Sequence, residues 1–149
     1  MDRPGSDTLF AGSIPELYVW DRIEQNEFAD VITMALGGLF PADPPRFMAR
    51  TPHGYFDCEA IARDLATAGF IAAPRVETVA ARSRAASARE AAIACCQGTP
   101  LRNEIQARSG AADAGLAEAT SECIAAIAER FGAGPVDGKI QAHIVIARS

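Results

Sequence analysis

The middle of the chain shows the clearest alternation of apolar and polar positions. Two prolines and a Thr-Pro-His-Gly-Tyr turn lead to Asp57, which stands where a helix N-cap belongs. Ile61 and Leu65 follow at helical spacing, and Gly69 supplies the residue type that ends such a helix. This pattern predicts a short amphipathic helix flanked by a turn and a strand.

Other stretches alternate with the period of a β-strand. The alternation in Arg75 to Arg82 indicates a half-buried strand, and Lys139 to Arg148 is partly apolar on both faces, which is typical of a strand inside a sheet. Near the N-terminus, two short candidate strands are Leu9 to Ala11 and Leu17 to Trp20, with Gly12 to Pro15 between them.

Four further helices are predicted from capping residues and apolar spacing. A capping box at Asp21 and Glu24 predicts a helix from Arg22 to Leu36, and a capping box at Ser87 and Glu90 predicts a helix ending at Gly98. Thr99 with Pro100 opens the next helix, and an apolar stripe from Ala114 to Phe131 predicts the last one. The order of strands and helices predicts an α/β or α+β fold.

Length and charge restrict the function classes. The 149 residues suit a single domain over 1–149, and 49% hydrophobic with 22% charged residues is ordinary for a globular protein. The net charge of −5 with scattered arginines disfavours nucleic acid and anionic membranes as partners. The N-terminus has no apolar signal-peptide region, so a cytoplasmic location is expected.

The cysteines and glycines predict neither a metal site nor a nucleotide loop. Cys58, Cys95, Cys96 and Cys123 lack the spacing and histidine partners of a zinc site, so buried free thiols are expected. The glycine groups near residues 37 and 134 do not follow a strand and open a helix, as a phosphate-binding loop requires.

Two loops carry candidate binding residues. His53 and Tyr55 flank Gly54, where an imidazole and a phenol suit a binding lid, although a simple tight turn explains the same residues. Gln97 and Arg102 lie at a junction between helices that suits an anionic substrate group, with capping and a solvated arginine as the alternative. His143 is expected to be structural and Trp20 to lie in the core.

Several segments resemble class I S-adenosylmethionine-dependent methyltransferases, in the small-molecule group related to the ubiquinone and menaquinone enzymes. They are the Arg-Pro-Gly at residues 3–5, the turn, helix, Gly and Phe that end at Phe70, the Cys-Gln-Gly-Thr-Pro-Leu-Arg at 96–102, and the Gly-Pro-Val-Asp-Gly-Lys at 134–139. The resemblance implies the C-terminal, substrate-side part of that Rossmann-like fold, with about three strands, an antiparallel last strand between the other two, and four to five helices. Its cofactor would be S-adenosylmethionine, but the family's cofactor-binding motifs have no matching positions in this chain.

Two hypotheses follow. In the first, this chain transfers a methyl group to a small molecule when the cofactor-binding half is supplied. In the second, it is a non-catalytic module that binds a small molecule or forms a homodimer through an exposed sheet edge or helix face.

Overall fold

The computed structural model describes residues 15–148, which form one three-stranded sheet and six α-helices. The α/β class is therefore confirmed. The described residues form six α-helices where four or five were expected, because a single helical turn follows the prolines near residue 45. In chain order the elements are β1 (Glu16–Trp20), α1 (Glu27–Leu39), α2 (Phe47–Arg50), α3 (Cys58–Thr67), β2 (Ala72–Ala85), α4 (Ala88–Gln97), α5 (Leu101–Arg108), α6 (Ala112–Phe131) and β3 (Val136–Arg148).

The last strand lies in the middle of the sheet. β3 pairs antiparallel with β1 on one side and with β2 on the other, so β1 and β2 run parallel to each other. Val145 of β3, for example, lies opposite Leu17 of β1 and Val76 of β2. The internal position predicted for this strand is confirmed, and the candidate strand at Leu9 to Ala11 lies outside the described residues.

β3 is covered on opposite faces at its two ends. At its start, Val136 and Gly138 are buried where α1 and α6 pack on the sheet. At its end, Val145 and Ala147 are buried on the other face, and α3 packs on the neighbouring strand β2.

Between these two covered ends, one face of the sheet is apolar and accessible, and we call it the open sheet face. Within residues 15–148 it consists of Tyr18, Trp20, Val79, Ala81, Ile140, Ala142 and Ile144.

The main core lies among helices α1, α4, α5 and α6. Its fully buried side chains include Ile32, Leu36, Ile105, Cys123 and Ile127. Alanines on α4 and α6 are also fully buried, and their small side chains let these helices approach closely. All four cysteines are free thiols; Cys96 and Cys123 are buried as predicted, whereas Cys58 and Cys95 are only partly buried.

Most of the predicted helix ends are confirmed by their hydrogen bonds. The side chain of Asp57 accepts from the Glu59 N–H at 2.9 Å, and that of Ser87 accepts from the Glu90 N–H at 3.2 Å. Gly69 ends α3 with a φ of 107°, in the left-handed region.

The predicted helix from Arg22 is wrong at its start. A short 3-10 turn spans Ile23–Gln25, and the α-helix begins only at Glu27 and ends at Leu39. Asp21 does not cap it with a bond to residue 24, because its carboxylate is bonded to side chains of β3.

The strand predicted at Arg75 to Arg82 is present but longer, and most of its residues are exposed rather than half-buried. β2 is one of the two outer strands of the described sheet, and α3 packs against only a part of it.

Replacement of Gly138 by alanine should destabilise the fold, because the added Cβ would lie 3.0 Å from the buried Phe28 ring. We expect Gly138→Ala to lower the free energy of unfolding by about 1–3 kcal/mol, the usual effect of overpacking. Urea denaturation followed by circular dichroism measures this. Gly134→Ala is the matched control, since nothing lies within 4 Å of its added Cβ; equal midpoints for the two variants would contradict the proposed packing.

Candidate functional site

Asp21, the residue directly after β1, is the centre of a buried polar network. Its carboxylate accepts from the Gln141 side-chain amide at 2.6 Å and from the Arg22 N–H at 2.7 Å, and it lies 3.1 Å from His143 Nε2. Burial by itself would raise the pKa of Asp21, but these hydrogen bonds and the adjacent imidazole lower it below its ordinary value. Asp21 is therefore ionised at neutral pH.

The same network joins the end of β1 to β3. The amide of Asn26 donates to the Asp21 carbonyl at 3.2 Å, and its oxygen accepts from the Gln141 N–H at 3.1 Å. The Asp21 N–H donates to the Gln141 carbonyl at 3.0 Å. Asn26 thus satisfies backbone groups where the regular pairing of β1 ends.

His53 reaches this network from the loop after α2. Its Nδ1 lies 3.0 Å from the Asp21 carbonyl, and the residue is 5% exposed. The turn needs glycine at position 54, because a Cβ there would lie 2.0 Å from the Arg50 carbonyl oxygen. Burial lowers the pKa of His53, and the hydrogen bond to the carbonyl only partly opposes this effect.

A cavity of about 250 Å³ lies beside His53. Its walls are mostly apolar, and among residues 15–148 no Asp, Glu, Lys or Arg side chain lines it. The lining residues are Trp20, Asn26, Phe28, Ala29, Met48, Pro52, His53, Ser83, Cys95 and Ile140. The Trp20 and His53 ring centroids are 6.0 Å apart. Burial raises the pKa of the Cys95 thiol to about 11, so this sulfur is protonated and weakly reactive.

A second, more polar hollow of about 550 Å³ lies on another side of Asp21, lined by Asp21, Arg22, Phe56, Asp57, Cys58 and His143. The Arg22 guanidinium stands 5.0 Å from the centroid of the Phe56 ring, a cation–π distance. Burial and the nearby Asp21 and Asp57 carboxylates raise the pKa of Cys58. Cys58 is therefore a thiol at neutral pH and not an activated nucleophile.

His143 is held on both sides. Its Nε2 faces Asp21, and its Nδ1 lies 2.8 Å from the Thr78 hydroxyl on β2. Both ring nitrogens thus have partners in the protein, which agrees with the structural role expected for a strand histidine.

The four residues singled out as a candidate binding set do not share one cavity. Only His53 lines the cavity beside Trp20. Tyr55 is exposed and its hydroxyl donates to the Asp64 carboxylate, while Gln97 donates to the Thr120 hydroxyl at 3.2 Å and so links α4 to α6. Arg102 is exposed on α5.

Several residues of the site were not predicted to be functional. Trp20 was expected in the core but is 43% exposed, because β1 is an outer strand of the described sheet and the ring faces the cavity and the open sheet face. Asp21 was interpreted as a helix cap. A polar residue directly after a strand is a common binding-site position in open α/β sheets, and that signal could have identified Asp21.

The residues between 15 and 148 do not fit S-adenosylmethionine. No strand in this part of the chain is followed by a glycine-rich turn that opens a helix, since Asp21 and Arg22 follow β1, and Ala86 and Ser87 follow the end of β2 at Ala85. The described part of the chain also holds no cluster of three or more His, Cys, Asp or Glu suited to a metal ion. None of its helices is long and apolar enough to cross a membrane.

No protein-family model matches this chain, and no curated protein matches its sequence.

The buried, neutral imidazole of His53 should make stability depend on pH. Because the pKa of His53 is lowered on folding, the unfolded chain binds more protons below about pH 6.5, so stability falls as the pH drops through that value. Urea unfolding at pH 7.5 and 5.5 measures the effect. His53→Asn keeps a donor at the Nδ1 position and should flatten the dependence relative to the unsubstituted protein; the same slope in both proteins would contradict this assignment.

Proposed function

We propose that this chain is the substrate-side region of a class I S-adenosylmethionine-dependent methyltransferase. In this proposal, the cavity beside Trp20 and His53 holds a small-molecule methyl acceptor. The cofactor-binding half is supplied by another part of the same protein or by a second polypeptide.

The arrangement of the strands carries the proposal. β3, the last strand, runs antiparallel between two strands that are parallel to each other. A last strand inserted in this way is the feature that the resemblance implied for this part of the fold, and it differs from a simple meander, in which consecutive strands are neighbours. The helices between β1 and β2 give the parallel connection its required length.

The position of the site gives further support. Asp21 lies at the carboxyl end of β1, and His53 and the cavity lie next to it. Open α/β sheets bind their ligands in crevices outside the carboxyl ends of strands. Because β1 is an outer strand of the described sheet, a cofactor-binding half that extends the sheet on that side would reach the same end.

The residues of this chain would bind and orient the acceptor. The mostly apolar walls would contact the carbon skeleton of the acceptor, and His53 offers the one buried imidazole that lines the cavity. Since these residues do not fit the cofactor, the methyl donor has to be placed by the other half.

A second candidate function is self-association, and the open sheet face favours it. Tyr18 is 70% exposed and Trp20 and Val79 are each more than 40% exposed, next to the isoleucines of β3. Contiguous apolar surface of this kind often marks a site of protein contact. A second copy of the chain would cover it in a symmetric dimer.

The methyltransferase proposal predicts a coding sequence for the missing half next to the codon of Met1, with a strand, a glycine-rich turn and a helix. Co-expression of that half with this chain should transfer tritium from methyl-labelled S-adenosylmethionine to small molecules of a cell extract. His53→Asn should reduce the rate about 100-fold if the imidazole handles a proton in the reaction. Glu118→Gln, on the exposed surface of α6, is the control that should leave the rate unchanged. A well-folded, assembled protein without methyl transfer would refute the proposal.

The self-association proposal predicts a dimer at micromolar concentration, measured as mass by analytical ultracentrifugation. Tyr18→Lys places a charge on the open sheet face and should return the protein to a monomer. Tyr55→Lys is the matched control, because Tyr55 is also exposed and also donates its hydroxyl to a carboxylate, as Tyr18 does to Glu16. A monomer at every concentration, or equal dissociation by both substitutions, counts against a dimer through this face.

A further inference from the structure

We infer that the cavity beside Trp20 and His53 selects an uncharged molecule of one or two rings that carries a hydroxyl or N–H group, and that this group donates a hydrogen bond to His53 Nε2. The inference rests on the proposed function only where it identifies this molecule as the methyl acceptor. The recognition itself follows from the chemistry of the cavity.

The first step is the tautomer of His53. Nδ1 lies 3.0 Å from the backbone carbonyl oxygen of Asp21. A carbonyl oxygen only accepts hydrogen bonds, so Nδ1 must carry the hydrogen. Burial lowers the pKa of this imidazole, so at neutral pH the ring has a single N–H and Nε2 keeps its lone pair. His53 is therefore an acceptor at Nε2.

The second step is the direction of that lone pair. Asp21, which holds Nδ1, does not line the cavity, whereas His53 does. Nε2 lies on the other side of the ring and has no hydrogen-bond partner within residues 15–148. A residue that is 5% exposed thus presents an open acceptor at the cavity wall. No fully buried side-chain nitrogen or oxygen of residues 15–148 lacks a hydrogen-bond partner, so Nε2 is accessible, and a ligand that donates to it gains a hydrogen bond that a ligand without a donor cannot make.

The third step is the size and polarity of the cavity. An apolar cavity of about 150 Å³ is enough to bind benzene, and this one measures about 250 Å³, which leaves room for a second ring. Trp20 and Phe28 supply aromatic walls, and the Cys95 thiol is protonated. Because no carboxylate, ammonium or guanidinium from residues 15–148 lines the cavity, a charged ligand would lose its hydration there without compensation from this part of the chain.

The remaining polar groups agree with a single donor on the ligand. The Asn26 amide is already used, because its nitrogen donates to backbone carbonyls and its oxygen accepts from the Gln141 N–H. The Ser83 hydroxyl is the other polar group at the wall. Among the described residues that line the cavity, His53 Nε2 is thus the one strong acceptor left for a ring hydroxyl.

The test compares 2-naphthol with 2-methoxynaphthalene, which has the same rings but no hydroxyl hydrogen. We expect the purified chain to bind 2-naphthol about tenfold more tightly at pH 7.5. Nitrogen-15 spectra of the imidazole rings report the contact directly, since the chain has only two histidines. The unprotonated Nε2 signal of His53 should shift on addition of 2-naphthol, while His143, whose two nitrogens already have partners, should not respond.

Two variants separate the roles of the ring nitrogens. His53→Gln keeps a polar group near the Nε2 position and should retain part of the preference for the hydroxyl. His53→Asn keeps only the bond to the Asp21 carbonyl and should bind both probes equally. Circular dichroism checks that each variant is folded, and the comparison of the two probes on the unsubstituted protein does not depend on the variants.

Equal affinity for the two probes, no binding of either, or an Nε2 signal that does not move would overturn this inference. These outcomes are distinct from a failure of the proposed function. Selective binding of 2-naphthol without methyl transfer in the assembled protein would retain the ligand class and remove the methyltransferase. Methyl transfer without selective binding of 2-naphthol would retain the methyltransferase proposal and remove the ligand class.

Discussion

The structure depends on Asp21, whose carboxylate and carbonyl hold three parts of the chain at one point. The carboxylate bonds to Gln141 and faces His143 on the central strand, and the carbonyl receives hydrogen bonds from Asn26 before α1 and from His53 after α2. An ionised carboxylate is costly to bury unless its acceptor sites are filled, and here they are filled by groups from distant parts of the sequence. The end of β1, the centre of β3 and the loop around residue 53 are therefore fixed relative to one another.

The two histidines of the chain show how one residue can serve both structure and binding. His143 meets the carboxylate of Asp21 and the hydroxyl of Thr78, so neither ring nitrogen is left for a ligand. His53 meets only the carbonyl of Asp21, and this contact fixes its tautomer while it leaves the second nitrogen at the cavity. The difference arises from a second neighbour: within residues 15–148 the Thr78 hydroxyl contacts the other nitrogen of His143, and no residue contacts the other nitrogen of His53 in this way.

Local signals in the sequence predicted much of the fold. Asp57, Ser87 and Gly69 act within four residues of their own positions, so spacing alone is enough to identify them as caps. Asp21 showed the same local signal but has a partner 120 residues away, and that long-range bond outweighs the helix cap. Local sequence signals do not reveal the cavity either, because its walls come from β1, α1, α2, β2, α4 and β3, and no single stretch of sequence contains the whole lining. His53 was chosen as a candidate binding residue because a histidine on a loop is conspicuous by residue type alone.

Trp20 connects the binding cavity to the open sheet face. Its side chain and that of Ile140 line both surfaces, so anything that packs on the open face also touches a wall of the cavity. A cofactor-binding half that extends the sheet beyond β1 would cover part of this face, and so would a second copy of the chain. In either case further apolar area around Trp20 leaves water, and the hydrogen bond at His53 becomes stronger as its surroundings become less polar. Assembly and ligand binding should therefore be coupled, because each changes the surroundings of the same indole and so changes the affinity of the other.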